Sequence, residues 1–331
     1  MTDTRKIAGL AALAAVSLLA TACGGQVGQT GGSSTGSSSS DNKSLALIPG
    51  ISAEPFYISM QCGAEAEAKA KGYTLKTQAP PKFNPADQTP IVTGILANKP
   101  AAVLIAPTDD KAMASPMKQL KTAGIKVVEV DTSLQDTTVA ESSISSNNEQ
   151  GGQLAAQTLA KLIGDKKGSV LVLNTTAGTS TTDAREKGFK SEIAKYPNIK
   201  YVGQQYTDND AAQSASKVTA TLSSTPDLVG IFATNLNTGE GAATGLRTAG
   251  KTGQVNLVGF DASPKEVSDL KDGSFQALIA QDPATIGKDG VDQAIAALTG
   301  GSVTRNISTD LVSITKDNMD AQSKYFYKSS C

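Results

Sequence analysis

Val258-Gly259-Phe260-Asp261 ends a predicted strand with an aromatic ring and a carboxylate side by side. A short apolar run precedes this stretch, and a helical segment, Pro264–Leu270, follows it. In open α/β sheets, ligands bind outside the carboxyl ends of the strands. A ring beside a carboxylate offers a small polyhydroxylated ligand an apolar face and an acceptor for its hydroxyl groups.

Apolar strands and helices alternate on both sides of this stretch. The pattern begins at Ser44 with the strand Leu45–Ile48 and the helix Pro55–Lys71, and it restarts near Ser146. Such alternation predicts parallel sheets with right-handed crossovers, and the continuous apolar runs fit strands that are covered on both faces. We therefore predict an α/β protein with two similar Rossmann-like lobes.

The composition excludes several functions. The 331 residues include 30 basic and 31 acidic side chains, a formal net charge of −1, so nucleic-acid binding is not expected. The absence of histidine removes Ser-His-Asp and Cys-His catalysis and the commonest metal ligand. The glycines of 239–245 do not have the G-x-G-x-x-G spacing of dinucleotide sites. We expect no cofactor and no metal, although Lys, Tyr or carboxylate chemistry remains open.

The first residues have the features of a targeting segment. Arg5-Lys6 precedes an apolar stretch, Ile7–Ala20, that is short for a membrane span. The small residues before Cys23 resemble a bacterial lipoprotein processing site, although Ala20 stands where Leu is usual. We predict a signal peptide over 1–23, a lipidated Cys23 and an extracytoplasmic chain anchored to the cell membrane; an ordinary secretory signal or a short anchor helix is the alternative.

Two further features of the predicted exported chain are a linker and a disulfide. Residues 24–43 are mostly Gly, Ser, Thr and Gln, so we predict a flexible linker. Cysteines in an exported chain are usually paired, and Cys62 and Cys331 are the two that remain. We predict a disulfide between them, with two unrelated thiols as the alternative.

Several side chains at predicted strand ends and helix starts could bind a ligand. Phe56-Tyr57 forms a stacking platform or belongs to the core of the first helix. Asp131 and Asn235 each follow a strand, where they serve a turn or a ligand. Arg185 lies on a predicted helix, where a lone arginine usually faces solvent.

Taken in order and spacing, eight segments resemble the ribose/galactose-type periplasmic sugar-binding proteins, the type I solute-binding fold of ABC importers. The resemblance extends from Ser44 to about Ile314. The segments are Glu54–Tyr57, Ala106–Asp109, Val130-Asp131, Ser146–Gly152, Gly178–Ser180 with Arg185, Phe232–Asn235, Val258–Asp261 and Ile279–Gln281. The family implies three hinge crossings between the lobes, which fall near Ser146, Gln281 and Thr309. The implied lobes are 44–146 plus 282–309 and 147–281 plus 310–331.

The resemblance also implies the site. Phe56, Tyr57 and Phe260 would stack on the sugar. The groups that would hold its hydroxyls and ring oxygen are Asp131, Arg185, Asn235, Asp261 and Gln281. Arg185 would keep the two carboxylates ionised. Three positions depart from the ribose-type pattern: Glu54 replaces Asn and would add an acceptor, Thr132 replaces Arg, and Leu236 replaces Asp.

The function implied is that of a monomeric, membrane-anchored receptor, not an enzyme. It would capture a monosaccharide or polyol between its lobes and deliver it to an ABC permease with its ATPase subunits. An amino acid, a nucleoside or a furanose signal is the alternative ligand. A glycoside hydrolase using Asp131 and Asp261 is a rival function. A regulator of the lactose-repressor type is excluded, because an export signal stands where its DNA-binding headpiece would be.

Overall fold

Two six-stranded sheets with helices on their faces organise residues 42–331, the part of the chain that the computed structural model describes. The predicted signal peptide, the lipidated Cys23 and the linker as far as residue 41 lie outside these residues. None of the helices within 42–331 is both long enough and apolar enough to cross a bilayer.

The first sheet is wholly parallel. Its strands are β1 (Ser44–Ile48), β2 (Thr74–Thr77), β3 (Ala102–Ile105), β4 (Lys126–Val130), β5 (Ser142–Ser146) and β11 (Asn306–Thr309). They lie in the order β11-β5-β4-β3-β1-β2. The helices around it are α1 (Pro55–Ala70), α2 (Pro85–Asn98), α3 (Ala114–Thr122) and α9 (Pro283–Thr299).

The second sheet has a matching arrangement. Its strands are β6 (Gly168–Asn174), β7 (Ile199–Tyr206), β8 (Leu228–Ala233), β9 (Asn256–Phe260), β10 (Ala277–Ala280) and β12 (Val312–Ile314). Their order is β12-β10-β9-β8-β6-β7, and only β12 runs antiparallel to its neighbour. The helices are α4 (Asn148–Ile163), α5 (Ser180–Ile193), α6 (Ala211–Ser224), α7 (Leu236–Thr248) and α8 (Pro264–Asp272).

The strands are apolar because both faces of each sheet are covered. In β1, Leu45 and Leu47 join the core beneath α1 and α9, whereas Ala46 and Ile48 face the core beneath α2 and α3. All four side chains are buried. This two-sided burial accounts for the continuous apolar runs, and the prediction of two lobes with parallel sheets is confirmed.

The chain passes between the sheets three times, and the passages meet at one cluster of hydrogen bonds. Ser146 ends β5, Gln281 follows β10 and Thr309 ends β11. The Oγ of Ser146 donates to Oε1 of Gln281 at 2.8 Å and lies 3.3 Å from Oγ1 of Thr309. All three residues are buried. The crossings are therefore linked to one another by side chains as well as by the backbone.

Two strands of the first sheet, β5 and β11, were not predicted. The sequence of β5, Ser-Ser-Ile-Ser-Ser, contains one apolar residue. Ile144 is buried in the core under α9, while its neighbours Ser143 and Ser145 are only partly buried. A single apolar side chain does not produce a periodic hydrophobic pattern, so this strand cannot be recognised from the sequence.

The last residues of the chain contact both halves of the molecule. Beyond β12 and a short 3₁₀ helix, Ser323–Tyr325, the backbone N–H of Tyr327 donates to the carbonyl of Ala262 beside the second sheet. The next N–H, that of Lys328, donates to Ser59 on α1 of the first. The assignment of 310–331 to the second lobe alone does not describe this path.

Helix α5, which carries Arg185, is packed very closely on α4. A Cβ atom on Gly152 would lie 1.8 Å from the carbonyl oxygen of Arg185, and one on Gly188 would lie 1.9 Å from that of Glu149. Only glycine permits this approach, because both contacts are with backbone atoms that cannot move aside. The pair of glycines therefore sets the depth at which Arg185 lies.

Replacing Gly188 with alanine should separate α4 from α5. We expect Gly188→Ala to lower the free energy of unfolding by roughly 1–3 kcal/mol, the usual cost of overpacking. The matched control is Gly94→Ala in α2, where a Cβ meets nothing within 4 Å and alanine should stabilise the helix by about 0.5–1 kcal/mol. Equal effects of the two substitutions in urea denaturation would contradict this account.

Candidate functional site

A cavity lies between the carboxyl ends of the two sheets, the place where ligands bind in open α/β folds. Loops after β1, β4, β6, β8, β9 and β10 contribute to its wall. The lining residues are Glu54, Phe56, Tyr57, Phe83, Asp131, Thr132, Thr175, Thr179, Thr181, Thr182, Arg185, Asn209, Asn235, Asp261 and Gln281. Eight of the nine predicted site residues are among them, and Phe260 is not.

Arg185 is a buried cation, with only 2% of its surface exposed. Its Nε donates to Oδ1 of Asn148 and its Nη1 to the carbonyl of Thr234, both at 2.8 Å. The remaining N–H groups of the guanidinium are available to a ligand. Burial lowers the pKa of Arg185, while the negative charges of Asp261 and Asp131 act to raise it. Arg185 is therefore a fixed donor in the cavity and does not lie on a solvated helix face.

Phe260 supports Arg185 and does not line the cavity. The guanidinium carbon of Arg185 lies 3.7 Å from the centre of the Phe260 ring. That ring is fully buried and packs at 6.3 Å against Phe232, which stacks on Phe189 at 5.1 Å. The prediction that Phe260 stacks on the sugar is therefore corrected, since the guanidinium occupies the face of the ring. A cation over an aromatic face is itself a favourable contact.

Asp131 is held from the side of the first sheet. Its Oδ2 accepts a hydrogen bond of 2.8 Å from the hydroxyl of Tyr57. Burial raises the pKa of Asp131 to about 6, although the charge of Arg185 and the hydrogen bond from Tyr57 act to lower it. Arg185 thus lowers the pKa of Asp131, as expected, but burial raises this pKa by more. Near neutral pH the carboxylate remains mostly ionised and can accept from a ligand hydroxyl.

Asp261 is held from the side of the second sheet by three donors. Its Oδ1 accepts from Nε2 of Gln281 at 2.8 Å and from the hydroxyl of Tyr327 at 2.9 Å. Its Oδ2 accepts from the backbone N–H of Leu236 at 3.2 Å. With one oxygen fully used by the protein, Oδ2 is the oxygen that retains room for a ligand.

Both carboxylates extend from unusual backbone conformations. The φ angles of Asp131 and Asp261 are 67° and 97°, in the left-handed region that side chains other than glycine seldom occupy. Such conformations cost about 1–3 kcal/mol each and are concentrated at functional sites. Each residue directly follows a strand, β4 or β9, so the bend turns its carboxylate off the strand axis and into the cavity.

Asn235 and Gln281 line the cavity and also organise it. Oδ1 of Asn235 accepts from the N–H of Thr238 and so caps α7, and its Nδ2 donates to Asn209 at 2.7 Å. Gln281 connects Asp261 to Ser146 and belongs with Ser146 and Thr309 to the hydrogen-bonded set at the three crossings, here called the hinge cluster. The two readings of Asn235, as a turn residue and as a ligand amide, are therefore compatible in one side chain.

Phe56 and Tyr57 line the cavity and belong to the core as well. Their rings meet edge to face at 5.1 Å, and each is no more than 5% exposed. They begin α1, directly after Glu54 and Pro55, so the start of this helix delivers them to the cavity. The two interpretations from the sequence, a stacking platform and a place in the core of the first helix, are therefore compatible.

Glu54 accepts a hydrogen bond from the protein, and its raised pKa also gives it a proton to donate. Burial raises its pKa to about 8, and the charges of Asp261 and Asp131 raise it further than Arg185 lowers it. At neutral pH Glu54 therefore carries a proton. Its Oε2 accepts a hydrogen bond of 3.4 Å from Nδ2 of Asn237, a residue of α7 in the second half of the molecule.

The sequence analysis missed a further aromatic ring and a group of hydroxyl side chains that line the cavity. Phe83 lines the cavity, and so do Thr175, Thr179, Thr181 and Thr182 around the start of α5. Among the described residues, Oγ1 of Thr179 is one of three buried side-chain oxygens that have no hydrogen-bond partner. The run Thr179-Ser180-Thr181-Thr182 was the available signal, because four consecutive hydroxyl residues open this helix.

Contacts around the cavity join the two sheets directly. The N–H of Asp110 donates to the carbonyl of Gly178 at 3.0 Å, and the N–H of Ser133 donates to the hydroxyl of Ser180 at 3.0 Å. Both donors lie in loops of the first sheet, and both acceptors lie at the start of α5. The structure therefore represents a closed cleft. Within residues 42–331, no group of three His, Cys, Asp or Glu side chains could hold a metal ion.

The proton on Glu54 should make stability depend on pH. Between its ordinary pKa of 4.5 and its folded value of about 8, only the folded state retains the proton, so stability falls as pH rises across this window. We expect Glu54→Gln to remove this slope. In urea denaturation, the free energy of unfolding of the variant relative to that of wild type should therefore rise by roughly 2–4 kcal/mol between pH 5 and pH 9. The control is Glu149→Gln, whose side chain is 43% exposed. A difference that is constant with pH would contradict the assignment.

Comparison with known proteins agrees with this geometry. The family described as the periplasmic binding protein domain matches residues 45–302. The ribose import binding protein RbsB of Escherichia coli (strain K12) is 32% identical over 272 residues, which are 82% of this chain and 90% of that protein. The D-apiose import binding protein of Actinobacillus succinogenes is 30% identical, with 79% of this chain and 84% of that protein covered.

A solved structure is more similar to this chain in sequence than these two relatives are. It is a solute-binding protein of an ABC transporter from Agrobacterium vitis, bound with α-D-tagatopyranose, with 43% sequence identity and a TM-score of 0.84. The match covers 86% of this chain and 99% of that one. With this fold, a cavity between the sheets and a family match over most of its length, the chain belongs to the periplasmic binding protein family, as a relative of the sugar-binding proteins of ABC importers.

Proposed function

We propose that this chain captures a monosaccharide or polyol in the cavity and presents it to an ABC importer. The observation that carries the proposal is a closed cavity in which a guanidinium and two carboxylates are fixed by protein hydrogen bonds while each retains free capacity. Sugar hydroxyls donate and accept at once, so they can satisfy both kinds of group.

Each wall has a distinct part in holding the ligand. Free oxygens of Asp131 and Asp261 accept from hydroxyl groups, and Arg185 donates to a hydroxyl or to the ring oxygen. Phe56 and Phe83 supply apolar surface for the C–H faces of the ring. The unpartnered hydroxyl of Thr179 gains a partner when the ligand is bound. A pyranose fits this set, in keeping with the sugar of the tagatose-bound relative.

The lobe of 44–146 plus 282–309 and the lobe of 147–281 plus β12 close over the sugar by rotating about the hinge cluster, and the tail after β12 contacts both lobes. The ligand touches both lobes, so it favours the closed state, and closure is what the permease and its ATPase subunits read. The cycle needs no covalent chemistry and no cofactor, so we propose a monomeric binding protein and not an enzyme.

Altering the charged groups of the cavity should weaken binding strongly without unfolding the protein. In titration calorimetry against pentoses, hexoses including tagatose, and polyols, we expect tight binding of at least one sugar with no turnover. Arg185→Lys keeps the charge but loses the planar fork, and Asp131→Asn keeps the shape but loses the charge. Each should weaken binding at least about 100-fold, as expected for a buried charge-assisted hydrogen bond.

A surface variant provides the control for these measurements. Arg247→Lys, on an exposed arginine of α7, should leave the affinity unchanged. Binding of amino acids or nucleosides instead of sugars would contradict the ligand class, and hydrolysis of a glycoside would contradict the absence of catalysis. Unchanged affinity in Arg185→Lys would mean that the cavity is not the site.

We also propose that the mature chain begins at a lipidated Cys23 and contains a Cys62–Cys331 disulfide, which would hold it outside the cytoplasm at the cell membrane. In the structure the two Sγ atoms are 2.03 Å apart. Intact mass spectrometry of protein purified from detergent-solubilised membranes should give the mass of the chain that starts at Cys23, plus the mass of its acyl groups. Reduction should then add the mass of two hydrogens. A chain that begins elsewhere, or a mass unaffected by reduction, would contradict the corresponding part.

A further inference from the structure

Tyr327 lies beyond the part of the chain that matches the family, yet its ring reaches the back of the cavity wall. The ring is 5% exposed and packs at 5.8 Å, edge to face, against Phe56. Its backbone N–H donates to the carbonyl of Ala262, the residue after Asp261. Tyr327 is therefore wedged between an aromatic side chain of the first half and the backbone of the second.

The hydroxyl of Tyr327 completes the hydrogen bonding of Asp261. It accepts from the backbone N–H of Gln281 at 3.1 Å and donates to Oδ1 of Asp261 at 2.9 Å. Since the side chain of Gln281 donates to the same oxygen, both acceptor positions of Oδ1 are occupied by the protein. The carboxylate can then present only Oδ2 to a ligand, in one orientation.

The segment that carries Tyr327 is fastened to α1. The N–H of Lys328 donates to Oγ of Ser59 at 2.7 Å, and Cys331 lies within bonding distance of Cys62. Ser59 and Cys62 are on the helix whose first turn supplies Phe56 and Tyr57. The position of the Tyr327 hydroxyl is thus set by attachments on both sides of it.

We propose that Tyr327 is a positioning residue for sugar selection: its hydroxyl fixes the plane of the Asp261 carboxylate and thereby determines which hydroxyl orientation on the ligand is accepted. It touches Asp261 and Gln281 and acts on the ligand through them. The proposal rests on the sugar-binding function given above and adds a determinant of specificity to it. A carboxylate held by three donors discriminates between epimers better than one that can rotate to meet either of them.

Tyr327→Phe tests this, because it keeps the ring against Phe56 and removes only the hydroxyl. Titration calorimetry should show that the best-bound sugar of the panel is held about tenfold more weakly, the scale of one charge-assisted hydrogen bond. The preference for that sugar over at least one of its epimers should fall by a similar factor. Tyr325→Phe is the matched control: it removes a hydroxyl from a partly buried tyrosine that does not line the cavity, and it should change neither quantity.

A purely structural role gives different results. If Tyr327 only packs, Tyr327→Phe will bind as wild type does, while Tyr327→Ala will weaken every sugar by the same factor; either result overturns the proposal. A crystal structure of Tyr327→Phe supplies a readout that needs no ligand. We expect the Asp261 carboxylate to rotate, and an unchanged orientation overturns the proposal. If wild type binds no sugar, the proposed function fails on its own, and this orientation still decides the role of Tyr327.

Discussion

The burial of one positive charge, on Arg185, constrains the rest of the site. A guanidinium removed from water is costly unless charges and acceptors surround it. Here Asn148 and Thr234 accept its hydrogen bonds, the Phe260 ring lies against its face, and the carboxylates of Asp131 and Asp261 share the cavity. The two glycines between α4 and α5 allow the helix to bring it to that depth. Burial and, after it, the charges of Asp261 and Asp131 raise the pKa of Glu54, which therefore carries a proton at neutral pH.

The hinge and the site are parts of one hydrogen-bond chain. Ser146 donates to Gln281, and Gln281 donates to Asp261. A change in the carboxylate on ligand binding therefore reaches the residues where the chain crosses between sheets, over two side chains. The cluster is buried, and its polar groups pair with one another, so the three crossings are held in fixed positions relative to one another.

The sequence predicts the fold well because the information lies in patterns that burial imposes. Covered sheets require apolar runs, and ligand groups in such folds follow strand ends, which locates Asp131, Asp261 and Gln281. Prediction from the sequence fails where the role of a residue depends on the residues that face it in the folded protein. Phe260 stands at a strand end as a stacking ring should, but Arg185 from α5 covers its face. The raised pKa of Glu54 depends on its burial and on two carboxylates remote in the chain, and the position of Tyr327 depends on a tail without periodicity. The serines of β5 lack an apolar pattern altogether.

The contacts at the rim, from Asp110 to Gly178 and from Ser133 to Ser180, have a consequence for how such a protein can be adjusted. They favour closure but belong to no part of the wall that distinguishes one sugar from another. Apparent affinity is the intrinsic affinity multiplied by the closed fraction. Strengthening or weakening the rim therefore changes the sugar concentration at which the protein responds, for every sugar alike. The threshold of uptake and the choice of nutrient can in this way evolve, or be engineered, independently of each other.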